Sequence, residues 1–214
     1  MASILDLLQS DMGQTLINGA SQKTGQPSDK TANVLSQAMP LILGAMQRNA
    51  KTPEGAASLN NALNDPRHKG GDVLNMLGGI FGDGAGSPDQ LEQDGAGILG
   101  HVLGAKQPQV ENALSQSSGM DMESVSKIIK IAAPILMGVL SKQKQESSTD
   151  SSGLGSMLGS VLGQSGTHDQ SFIESILDAD GDGSVIDDVA GIVLGGDKKK
   201  KGGLGGLLGG IFGK

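Results

Sequence analysis

The chain contains no cysteine, no tryptophan and no tyrosine, and only three phenylalanines. The missing cysteine excludes disulfides, thiol nucleophiles and sulfur-ligated metal sites. The missing aromatics leave apolar burial to Leu, Ile, Val, Met and Ala, which favours helices and predicts an all-α protein. With almost nothing to stack on bases and a net charge of −7, a nucleic-acid partner is not expected. The N-terminal run Met1-Ala2-Ser3-Ile4-Leu5 lacks the basic start and long apolar stretch of a secretory leader. No apolar run reads as long enough to span a bilayer, so a soluble, cytoplasmic protein is the expectation.

Charge is also missing by region. Residues 1–145 carry 11 Lys/Arg against 13 Asp/Glu, close to balance. Residues 146–197 carry ten acids and no Lys or Arg, and residues 198–214 carry five lysines and no acid. Such block changes mark segments with different jobs. The expected organisation is a duplicated helical domain over 1–145 and a Ser/Gly-rich linker with one amphipathic segment over 146–169. An acidic loop with flanking helices follows over 170–195, then a Lys/Gly-rich tail over 196–214.

What is present is repetition. Ala38-Met39-Pro40-Leu41-Ile42-Leu43-Gly44 matches Ala132-Ala133-Pro134-Ile135-Leu136-Met137-Gly138 at an offset of 94 residues. Upstream, Asn18, Ser21, Gln22 and Gly25 align with Asn112, Ser115, Gln116 and Gly119 in the same register. Each copy reads as a short helix ending at a C′ glycine, then a longer helix opened by Ser28 or Asp29 in one case and Asp121 in the other. The long helices show apolar residues at 3.6 spacing and a mid-helix proline, which predicts a kink in each. Gly44 and Gly138 would let the two cross closely.

A second repeat, Φ-Leu-Gly-x-Φ-Φ-Gly, occurs at Met76–Gly82, Ile98–Gly104, Met157–Gly163 and Leu207–Gly213. Glycine costs on the order of 1 kcal/mol per residue in an exposed helix. The linker and tail copies therefore need a partner surface or a membrane interface to be helical, and otherwise stay disordered.

One motif carries chemistry. Asp178, Asp180 and Asp182 alternate, Gly183 follows, and Ser184 offers a backbone carbonyl, an arrangement that wraps oxygens around calcium. The loop departs from the EF-hand pattern because its twelfth position is Val189; Asp188, one residue earlier, is the closing ligand we expect. The alternative is an Asp/Gly-rich surface turn that binds nothing. His68, His101 and His168 have no metal-ligand spacing. His101 reads as a half-buried histidine bonded to backbone.

The proline-centred helices, the Gly97–Gly104 segment and Val110-Glu111-Asn112-Ala113-Leu114-Ser115-Gln116 resemble the YidB-like family of bacterial domains of unknown function, over residues 1 to about 145. The resemblance implies a compact multihelical fold and a bacterial source, and no activity. The expected role is a non-enzymatic, calcium-binding protein that mediates self-association or binding of a protein partner. The alternatives are a membrane-surface binder acting through Lys198–Lys201 and the Leu204–Phe212 stripe, and a hydrolase with an unrecognised site.

Overall fold

The computed structural model describes residues 4–68 and 88–163, which contain helix and no strand, the all-α class expected. The helices are α1 (Ile4–Gln9), α2 (Asp11–Thr24), α3 (Ser28–Asn49), α4 (Pro53–Asn64), α5 (Pro88–Val102), α6 (Gln107–Ser118), α7 (Met122–Glu146) and α8 (Leu154–Gly163). A 3₁₀ turn over Gly104–Lys106 joins α5 to α6.

The duplication is visible bond for bond. Gly25 (φ +66°) and Gly119 (φ +64°) end α2 and α6 in the left-handed conformation that a Cβ disfavours. Their N–H groups donate to the carbonyls of Ser21 and Ser115. The hydroxyls of those serines donate onward to the carbonyls of Gln26 and Met120. The two turns also face each other: Gln26 Nε2 donates to Ser124 Oγ at 2.9 Å, and Lys30 Nζ donates to the Gly119 carbonyl at 3.3 Å.

The helix starts differ. Asp121 caps α7 as expected, accepting from the Ser124 N–H at 2.8 Å, and that bond, with one from the Ser124 hydroxyl, holds its carboxyl below the usual range. Neither Ser28 nor Asp29 caps α3, which opens behind Pro27 with no side-chain cap. Ser28 donates instead to Ser21 Oγ.

Equivalent apolar positions of α3 and α7 form the centre of the core: Val34 with Ile128, Leu35 with Ile129, and Ala38 with Ala132 are all fully buried. Both helices continue through Pro40 and Pro134, and both Gly44 and Gly138 are buried. A close backbone approach is made by α5 on α7. A Cβ on Gly95 would overlap the Lys130 carbonyl, so only glycine fits there. By length and composition α7 could cross a membrane, contrary to the expectation from the sequence, since an 18-residue window has mean hydropathy 1.5. However, 78% of that window is buried, chiefly beneath α2, α3, α5 and α6, so α7 reads as a core helix.

α8 is the third Φ-Leu-Gly copy, and it has found its partner surface. It packs on α3, with Leu154 and Leu158 fully buried and Met157 and Leu162 nearly so. Gly159 sits where a Cβ would press on the Gln47 side chain. Burying each such side chain contributes about 2 kcal/mol, more than the roughly 1 kcal/mol each internal glycine costs. The helical unit therefore runs to residue 163, past the domain edge expected at 145, and the core takes in part of the segment read as a linker.

Candidate functional site

A groove of about 940 Å³ opens between the end of α3, the length of α4, one face of α5 and Met137 of α7. Its size is near the upper end for ligand clefts, roughly 300–1,000 Å³. The apolar lining is Met46, Leu59, Ile98, Val102 and Met137, of which Ile98 and Val102 stay partly exposed. These two are the first and fifth positions of the second Φ-Leu-Gly copy, whose Leu99 and Leu103 point into the core. One motif thus divides its apolar residues between core and groove.

The polar rim is built by how α4 begins and ends. Thr52 caps it, its hydroxyl accepting from the Gly55 N–H at 3.1 Å, with Pro53 in the first turn. After Asn64 the chain turns at Asp65-Pro66, since the residue before proline is disfavoured in helix. The turn is fixed by Arg67. Its Nε and Nη2 donate to the two Asp65 carboxylate oxygens at 3.0 Å each, and its Nη1 donates to Asp94 Oδ1 of α5 at 2.9 Å. These hydrogen bonds from Arg67 hold the Asp65 carboxyl at about 2. Both acids in the groove lining are thereby engaged by one guanidinium. Arg48 and Lys51, which also line the groove, form no ion pair among the described residues.

His68 lines the groove and is only 7% exposed. Its Nδ1 donates to the Ala62 carbonyl at 3.0 Å, and its Nε2 is buried with no partner among the described residues. Leaving such an atom unpaired costs about 1–3 kcal/mol. His101 Nδ1 donates to the Gly97 carbonyl at 2.8 Å, the backbone bond expected, although the ring is exposed rather than half-buried. Both rings are thus oriented at Nδ1 by main-chain oxygens.

Among the described residues no group of three or more His, Asp or Glu is placed to hold a metal ion. The calcium-loop residues Asp178, Asp180, Asp182, Ser184 and Asp188 lie outside the described residues, as do the Met76–Gly82 and Leu207–Gly213 motif copies. The groove itself was missed in the sequence. Its walls come from four helices, and the only local signal was the apolar pair Ile98 and Val102 beside the inward-facing Leu99.

A family model described as "Bacterial protein of unknown function (DUF937)" matches residues 6–143. No curated protein and no solved structure matches the chain.

Proposed function

The chain belongs to the DUF937 family of bacterial proteins of unknown function, and from its own geometry we propose a non-catalytic binding module whose recognition site is the groove walled by α3, α4 and α5. The observation that supports this is an apolar floor combined with a buried His68 Nε2 and two rim cations, Arg48 and Lys51, none of which has a partner among the described residues. That set can hold a ligand and fix its orientation. The test uses the full chain and a neutral solvatochromic dye such as Nile red. Binding that Ile98→Asp plus Val102→Asp abolishes, with helicity retained, supports the reading; dye binding indifferent to both substitutions removes it.

A calcium site formed by Asp178, Asp180, Asp182, Ser184 and Asp188 belongs to the same proposal as a second, independent binding function. It rests on three alternating carboxylates that would repel one another without a bridging cation. Titration calorimetry decides it: no heat at millimolar calcium, or heat unchanged in Asp178→Ala plus Asp182→Ala, refutes the site. Self-association or, as its alternative, membrane contact through the lysine-headed tail, together with a cytoplasmic location and closer kinship with YidB-like proteins, are further parts of the proposal. Sedimentation of the full chain with and without liposomes separates the first two.

A further inference from the structure

We infer that the groove takes an aliphatic carboxylic acid, with the hydrocarbon chain on Met46, Leu59, Ile98 and Met137 and the acid head at His68; this rests on the groove being the binding site. Three observations converge on that chemistry. The floor is aliphatic and thioether, with no aromatic face, which suits a flexible methylene chain that adapts to methionines. The His68 ring donates from Nδ1 to a carbonyl, so its neutral form presents a lone pair at Nε2. A ligand head must bring the proton for that bond. A carboxylic acid does so by passing its proton to Nε2, and the carboxylate that results pairs with the imidazolium and faces a rim where Arg48 and Lys51 have no acidic partner among the described residues.

The charged groups nearby are consistent with an acid head. Asp65 and Asp94, the carboxylates of the lining, are both held by Arg67, and Met137 is the contribution of α7. An alcohol would satisfy His68 but leave the cations unpaired. An ester would bring no proton to Nε2.

Displacement of Nile red from the full chain by decanoic acid, 1-decanol and methyl decanoate tests this. The acid should bind at least ten-fold more tightly than either, and each added methylene should tighten binding roughly three- to four-fold. His68→Leu, and separately Arg48→Gln plus Lys51→Gln, should each weaken the acid ten-fold or more. An alcohol or ester that matches the acid overturns the inference, as does acid binding unchanged in both variants. In either case, dye binding that still depends on Ile98 and Val102 leaves the groove itself standing. Thermal melts of the variants show that lost binding is not lost folding.

Discussion

Arg67 Nη1 lies 2.9 Å from Asp94 Oδ1, joining the turn after α4 to α5 across the rim of the groove. The same guanidinium grips Asp65 with two further bonds, so one exposed side chain sets the spacing of two groove walls. Exposed ion pairs are individually weak, but a forked arginine fixes geometry as well as charge.

This pairing predicts a pH dependence. Asp65 titrates at about 2 in the folded chain against an ordinary 3.8, with the hydrogen bond from Arg67 the largest cause. A lowered carboxylate stabilises the fold fully above its unfolded value and loses that contribution as pH falls from about 4 toward 2. In Arg67→Ala the Asp65 side-chain carboxyl should titrate close to 3.8 by carbon-detected NMR. Melting temperature should then fall less steeply between pH 4 and 2 than in the parent chain.

Two glycines of α5 should respond in opposite ways. Gly95→Ala drives a methyl into the Lys130 carbonyl and should cost roughly 2–3 kcal/mol, as overpacking against backbone does. Gly100 is exposed with open space around its Cβ position, so Gly100→Ala should stabilise by up to about 1 kcal/mol. Urea melts of the two variants provide the check.

The duplicated turns should carry matched penalties. Gly25 and Gly119 share a left-handed φ near +65° and open space beyond, so alanine at either is strained by conformation alone. Each substitution should destabilise by about 1 kcal/mol. Chemical denaturation giving values more than 1 kcal/mol apart would show that the two turns are not energetically equivalent.

α8 belongs to the core. Leu158→Ala should cost about 3 kcal/mol, in the range for a fully buried leucine. A chain ended at 145 should melt well below one ended at 163, because its α3 surface loses Leu154 and Leu158. Equal melting temperatures by circular dichroism would make α8 a dispensable appendage.

Much of the fold could be read from local pattern. The 94-residue offset located α3 and α7, their prolines, and the glycines that end α2 and α6, because these depend on spacing and on φ at single residues. Asp121 was legible as a cap for the same reason. α8 was read as a linker segment because its glycines lower helix propensity, and only the surface of α3 overrides that preference. Pro27 was not read as the residue before α3, because serine and aspartate beside it offered better caps. The groove was invisible because Met46, Leu59, Ile98 and Met137 lie far apart in the chain. His68 showed no motif; what distinguishes it is burial and the bond to Ala62, which only the folded chain supplies.

The central claim is that the groove between α3, α4 and α5 is a binding site, and methionine-methyl NMR of the full chain tests it most directly. Met46 and Met137 line the groove, whereas Met39 is buried in the core away from it. On titration with decanoic acid the Met46 and Met137 methyl signals should shift together and saturate, with Met39 unmoved. Unchanged Met46 and Met137 signals, or a uniform drift of all nine methionines, would contradict the account.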